Sequence, residues 1–342
     1  MGKPAHTPLV DSFGRVIEDL RISVTDRCNF RCTYCMPEEG LEWLDRSDVM
    51  SFEEIEQLAR LFVERFGVRG IRLTGGEPTV RAQLPRLVER LATLGNDHGP
   101  VDLAMTTNAA TFASSAATYR AAGLRRVNIS LDTLDRTKFE QMTRRDELDR
   151  VLAGIEAAKA AGFDPVKINA VVERGVNDDE IVDLARYGRD ACVEMRFIEF
   201  MPLDADGQWG NKQVVGQDEI VAAINEVFPV EQMPARGAAP ADRFRYLDRD
   251  PADPGGRVGV IPTVTKPFCG DCDRVRLTAD GRFRTCLFAT DDHDLLTALR
   301  SGESDDQIAA RIERAVAAKW AGHQINQVNF IRPSKSMSQI GG

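Results

Sequence analysis

No apolar run in the 342 residues approaches the roughly 18 to 20 residues that a membrane-spanning helix needs, so no membrane partner is expected. The first 19 residues carry Asp11, Glu18 and Asp19 where a secretory signal would carry an apolar core, and the expected location is the cytoplasm. An excess of positive charge is also missing. Lys and Arg number 44 against 53 Asp and Glu, a formal net charge of −9. That balance argues against a general nucleic-acid or anionic-membrane surface, yet permits a local basic pocket. Internal repeats beyond an alternation of strand and helix are absent, as are low-complexity tracts. Cysteine is sparse and odd in number: seven residues are no disulfide framework, and in a reducing compartment they favour metal ligation with one thiol left over. The leftover is Cys192, expected to pack at a helix end.

Six cysteines fall into two triplets. Cys28, Cys32 and Cys35 stand within eight residues on one loop, with no histidine nearby. Clustered thiolates select zinc, copper(I) or iron–sulfur clusters. A structural zinc site is closed by four protein ligands, so three ligands either borrow a distant one or leave a metal position open for chemistry. The second triplet is Cys269 and Cys272, completed by Cys286, with His293 the local candidate for a fourth ligand. Pooling thiols from two separate close-spaced loops on one zinc is geometrically awkward. Two clusters, each with one open iron, is the simpler account.

Between and after the triplets the pattern is βα. Leu20 to Val24 alternates with period two, and Ser51-Phe52-Glu53-Glu54 is a capping box opening a helix that ends near Gly67. Strands are then expected at 70–74, 101–106, 126–131, 166–172 and 194–200. Helices are expected at 83–94, 115–122, 148–161, 179–190 and 217–227. Six such units imply a parallel sheet with right-handed crossovers, doubly wound or curled toward a barrel. Unusual residues collect at the carboxyl ends of these strands, where parallel α/β proteins bind ligands. Lys167 is the exception, near the start of its strand. From about 229 to 265, Pro, Gly and Asp clusters surround short apolar runs, which suggests a loop-rich appendage with antiparallel strands. Asp280-Gly281 marks a hairpin and 305–319 an amphipathic helix. The expected organisation is an arm at 1–19 laid on the surface or against a partner, a barrel-like region at 20–228 and a C-terminal segment at 229–342. Residues 333–342 read as a frayed tail by composition alone.

Three further constellations matter. Gly75-Gly76-Glu77-Pro78 lacks the spacing of a dinucleotide fingerprint, and its glycines fit either a tight turn or a close backbone approach to a ligand. Arg274 and Arg276 share one face of a strand beside the second triplet, as a solvated edge or as a pair of forked donors for a polyphosphate. Arg21, Arg72 and Lys167 would add charge to the same region. In a chain of −9 overall, that clustering implies an anionic substrate.

The Cys-x3-Cys-x2-Cys loop with Tyr34 before its last cysteine, joined to the Gly75-Gly76 segment, resembles the radical S-adenosylmethionine (SAM) superfamily. With the second triplet, Arg274-Val275-Arg276 and the terminal Gly341-Gly342 added, nearly the whole chain resembles the GTP 3′,8-cyclase family of molybdenum cofactor biosynthesis. The resemblance implies an α/β fold, an incomplete (β/α)6 barrel whose open side a C-terminal α+β segment closes. It implies that Cys28, Cys32 and Cys35 hold a [4Fe–4S] cluster whose fourth iron is chelated by SAM, with Tyr34, Gly76, Ser130 and Met201 around that SAM. Arg21, Arg72, Thr106, Lys167, Arg274, Val275 and Arg276 would contact GTP, and Cys269, Cys272 and Cys286 would hold a second [4Fe–4S] cluster that meets the guanine. The tail ending in Gly341 and Gly342 would reach into the active site. The implied reaction takes the 3′ hydrogen of GTP with a 5′-deoxyadenosyl radical and joins C3′ to C8, giving (8S)-3′,8-cyclo-7,8-dihydroguanosine 5′-triphosphate. A reductant and a downstream cyclic pyranopterin monophosphate synthase would be partners, no nucleic acid would be, and a homodimer is left open. The rivals are a peptide-modifying radical SAM enzyme, which usually carries more C-terminal cysteines, and a zinc-stapled binding module, which needs four-ligand sites.

Overall fold

Six strands, β1 (Asp19–Ser23), β2 (Gly70–Thr74), β3 (Asp102–Thr107), β4 (Arg126–Ser130), β5 (Lys167–Val172) and β6 (Glu194–Glu199), pair in parallel in strict chain order. This is the computed structural model of the chain, and it describes all residues except 1–5, 205, 206, 208, 236, 326, 329, 334 and 342. An order without reversal is a single winding, which removes the doubly wound alternative. The twelve strands of the whole sheet run from one free edge to another without closing, so the barrel is incomplete. Between the strands lie α1 (Phe52–Arg60), α2 (Leu84–Ala92), α3 (Ala116–Ala121), α4 (Arg136–Thr143), α5 (Leu148–Ala160) and α6 (Ile181–Asp190), and α7 (Gln217–Val227) follows β6. The capping box at Ser51 is present: Ser51 Oγ accepts from the Glu54 amide and Glu54 Oε2 from the Ser51 amide.

Helix α4 was not legible in the sequence. Its buried side chains are only Phe139, Met142 and Thr143, a stripe too narrow to raise a helical period above its charged neighbours. Asp135 caps it by accepting from the Lys138 amide.

The C-terminal segment supplies both free edges. On one side β9 (Arg257–Ile261) pairs in parallel with β6, and β8 (Asp242–Tyr246) and β7 (Val230–Gln232) follow antiparallel. On the other, β10 (Arg274–Leu277) pairs in parallel with β1, followed by β11 (Arg282–Arg284) and β12 (His293–Asp294). The expected hairpin at Asp280-Gly281 joins β10 to β11, with Gly281 at φ +67°. Helices α8 (Leu296–Arg300), α9 (Asp305–Ala317) and α10 (Met337–Ile340) complete the chain. A small second core of Leu203, Val264, Phe288, Ile325 and Ile340 joins the loops beyond both edges. Packing, not strand pairing, therefore closes the open side.

Two expectations need correction. The arm is not a surface strap: Leu9 and Ile17 are buried in the main core, and Asp11 and Arg15 are buried with them. Cys192 does not pack in the interior; it is exposed, in the left-handed region at φ +54° just after α6.

Candidate active site

Strand alternation decides which side chains meet inside the barrel. Leu20 and Ile22, Ile71 and Leu73, and Val127 and Ile129 join the main core between sheet and helices. Their neighbours of opposite parity line a cavity of about 730 Å³ at the carboxyl ends of the strands. Both cysteine triplets open into it.

The first triplet sits on a loop fastened by the unanticipated α4. The Arg31 and Thr33 amides donate to the carbonyls of Thr143 and Met142, at 3.0 and 2.9 Å. Arg144 adds Nη1 contacts to the carbonyls of Arg31 and Met36. The Gly75-Gly76 turn lies against the other flank. A Cβ on Gly75 would sit 2.5 Å from the Thr25 carbonyl oxygen, and one on Gly76 would sit 2.4 Å from that of Arg27. The close approach these glycines serve first is thus to the chain entering the cysteine loop, while Gly76 still faces the cavity. Glu77 fixes the turn to the end of β3, accepting from Thr107 Oγ1 and the Asn108 amide at 2.6 Å each and from Thr79. Tyr34 donates to Asp132 Oδ2 at 2.6 Å, and Asp132 Oδ1 accepts from the Val171 amide. Burial lifts the Asp132 carboxyl to about 6 despite those bonds. Burial, reinforced by Glu77, Asp132 and the thiols' mutual repulsion, raises Cys28 to about 11, Cys35 to about 12 and Cys32 well above the ordinary range. Ligation there must displace protons. Three free thiols on one loop, with none of the described residues completing a fourth thiolate, fit a cluster with one open iron.

The second triplet is held differently. Buried Arg15 pairs with Asp11 and donates Nη1 to the carbonyls of Cys269 and Ala321, at 2.6 and 2.8 Å, and Nη2 to that of Trp320. Gly322 lies so close that a Cβ would stand 2.8 Å from that of Cys269. Lys319 donates to the carbonyls of Arg274 and Thr285, the latter just before Cys286. Burial alone would raise the Cys272 thiol, but the charges of Lys319 and Arg274 hold it below its ordinary value. His293 is in β12 against the Phe283 ring and does not line the cavity; His323 does, 5.1 Å from the Phe288 ring. The group His6, Asp97 and His98 is likewise not part of the cavity, and the guanidinium of Arg69, 3.3 Å from His98 Nε2, opposes a dication there.

Between the triplets runs a band of cations. In register across β10, β1, β2, β3 and β4 stand Arg276, Arg21, Arg72, Ala104 and Arg126, and Asn128 on β4 faces Lys167 on β5. Lys167 therefore lines the cavity although it begins its strand, as do Thr106, Ser130 and Met201 near the ends of theirs. The Arg21 Nε, Arg72 Nε and Arg274 Nη1 atoms are buried without hydrogen-bond partners. Buried donors without a hydrogen-bond partner are costly, and all three belong to residues that line the cavity, with an Asp19 carboxylate oxygen 3.8 Å from Arg21 and 3.9 Å from Arg72. Burial, aided by Arg196, lowers Lys167 to about 7, while Arg196, Arg243 and Lys167 hold Glu194 at about 2 against the upward push of burial. Arg126, Arg196 and Arg243 also line the cavity but were missed; sharing strand parity with Asn128, Ser130 and Ile198 was the available signal for the first two. Val275 points away, wholly buried in the main core between the two arginines.

The tail is not frayed as far as Gly341. Ser338 Oγ donates to the Cys35 carbonyl at 3.2 Å, and Arg276 Nη1 donates to the Gly341 carbonyl. Gly341 is at φ +83°, and a Cβ there would stand 2.9 Å from Thr74 Oγ1. Gly342 lies outside the described residues.

A partial parallel barrel with three thiols on its first loop defines a radical SAM protein, and the model of the Radical SAM superfamily matches residues 22–188. Residues 193–325 match the family described as Molybdenum Cofactor Synthesis C. The GTP 3′,8-cyclases of Corynebacterium glutamicum and Rhodopirellula baltica are each 48% identical over 98% of the chain, covering 89% and 92% of those relatives. That of Paenarthrobacter nicotinovorans is 47% identical over 99% of the chain and 98% of its own length. The chain belongs to the GTP 3′,8-cyclase family, with SAM and a [4Fe–4S] cluster as its cofactors. Among solved structures, Streptococcus suis SuiB bound to S-adenosylmethionine shares the fold, with a TM-score of 0.59 at 12% identity over 94% of this chain and 77% of that one. Among the described residues no helix is long and apolar enough to cross a membrane.

Proposed function

We propose that this chain converts GTP to (8S)-3′,8-cyclo-7,8-dihydroguanosine 5′-triphosphate, the first step of molybdenum cofactor biosynthesis. The observation that carries the reading is the shared cavity, in which two cysteine triplets flank a band of partly unsatisfied guanidinium groups. Cys28, Cys32 and Cys35 would hold the SAM cluster, and Tyr34, Gly76, Ser130 and Met201 would surround SAM. The chemistry supplied by bound SAM and its cluster is a one-electron cleavage yielding a 5′-deoxyadenosyl radical able to take the 3′ hydrogen of GTP.

The residues of the chain do the rest. Arg21, Arg72, Arg274 and Arg276 would neutralise the triphosphate with forked guanidinium donors, Lys167 would add a point charge and Thr106 a hydroxyl. Val275, with its side chain in the core, would contribute only backbone. Cys269, Cys272 and Cys286 would hold a second cluster beside the guanine. Gly341 would complete the wall next to Arg276, and the enclosed barrel keeps water from a reactive intermediate. An external reductant would feed electrons, and cyclic pyranopterin monophosphate synthase would consume the product.

Anaerobic reconstitution tests the reading through iron content and SAM cleavage with GTP and dithionite. About eight irons per chain and deoxyadenosine formation that depends on GTP are expected. Cleavage indifferent to GTP would overturn the substrate assignment, and four irons would overturn the second cluster.

A further inference from the structure

Lys319 is buried to 3% exposure, immediately after the last turn of α9, and has no carboxylate partner among the described residues. Lys138, Lys159, Lys266 and Lys335, by contrast, all reach carboxylates. A buried ammonium without a counter-ion is expensive. Its three donors are nonetheless all directed. One goes to the Arg274 carbonyl at 2.7 Å and one to the Thr285 carbonyl, while Cys272 Sγ stands 3.9 Å from Nζ. The two carbonyls belong to the segments that carry Cys272 and Cys286, and they offer only partial charge. The remaining direction points at a thiol that becomes an anion when it ligates a metal.

The geometry points to Lys319 as a positioning residue, the built-in counter-charge of the second triplet. Its ammonium ties the segment after Cys272 to the segment before Cys286 and offsets the negative charge of a thiolate-held cluster, easing reduction. This rests on the reading that Cys269, Cys272 and Cys286 hold an iron–sulfur cluster. Donation to a sulfur is specific to this triplet: no lysine or arginine side chain donates to a sulfur of the first triplet among the described residues, where Arg31 hydrogen-bonds the backbone carbonyls of Cys28 and Phe30 instead.

The test uses the full chain with Cys28, Cys32 and Cys35 replaced by Ala, so that one cluster remains, reconstituted without oxygen. Iron is counted, and the midpoint potential is read by redox titration followed by electron paramagnetic resonance. Lys319→Met should shift the oxidised-to-reduced ratio at fixed potential at least about tenfold toward oxidised, about 59 mV for a one-electron couple. Lys319→Arg should restore most of the shift. Equal potential and iron in parent and Lys319→Met overturn the counter-charge. Equal loss of iron in Lys319→Met and Lys319→Arg also overturns it, by assigning the residue to packing. A parent that holds no iron overturns the second-cluster reading itself, and the counter-charge falls with it.

Discussion

The two cysteine triplets have the same number of ligands and opposite surroundings. The first is enclosed by burial and flanked by the carboxylates of Glu77 and Asp132, so all three of its thiols are pushed up. Arginines grip a backbone carbonyl at both triplets, Arg31 at Cys28 and Arg15 at Cys269, but at the second Lys319 also stands beside the Cys272 sulfur and with Arg274 holds that thiol below its ordinary value, while burial still raises Cys269. Counting ligands therefore fails to distinguish two sites that electrostatics separates. A site that receives a cationic sulfonium cofactor gains from nearby carboxylates, whereas one that shares a polyanionic substrate gains from guanidinium groups.

The largest break in that comparison comes from removing one ligand on each side. Cys35→Ser should cut SAM cleavage by at least about 10³-fold while leaving iron at the second triplet. Cys272→Ser should spare SAM cleavage but abolish the cyclised product, with deoxyadenosine and nucleotide products measured in the same reaction. Arg15→Ala strips three carbonyls and Asp11 of their partner. Amide exchange over residues 268–273 and 319–323 should quicken roughly 10²-fold, with residues 28–36 unchanged. Arg21→Gln asks whether the cationic band serves the substrate or the cluster. GTP should bind about 10- to 100-fold more weakly, with iron content at both triplets unaltered.

The smallest effect is a pH dependence. Lys167 titrates at about 7 in the free protein, below the ordinary lysine value, and a bound triphosphate would raise it. Below pH 7 the ammonium is already charged and affinity is greatest. As pH rises above about 7, binding must take up a proton, and affinity should fall by up to about tenfold per unit. Lys167→Arg stays charged and should lose that slope in equilibrium binding.

Strand alternation made the barrel legible in sequence, and β2, β4 and α7 lie within a residue or so of their expected limits. The cysteines and most of the cationic band were legible for the same reason, since residue type and parity are local properties. Helix α4, which fastens the first loop, was hidden by its narrow apolar stripe. Arg15 and Lys319 were hidden because their meaning depends on contacts across more than 30 residues, up to 306 for Arg15 with Ala321. The arm's burial had the same cause: Ile17 and Leu9 signal nothing until the core around them is known.

The pairing of β10 with β1 brings Arg276 beside Arg21 across some 255 positions of chain, and β9 closes onto β6 only after the intervening appendage is made. Chain order thus imposes an order of assembly. During synthesis the six βα units can emerge and associate first, with both outer edges raw and the cationic band half built. Such long-range parallel pairing is slow. The last third of the chain, in completing the band, also protects those edges from joining another molecule. A nascent chain stalled near residue 228 would carry the first cysteine loop but not its finished vessel.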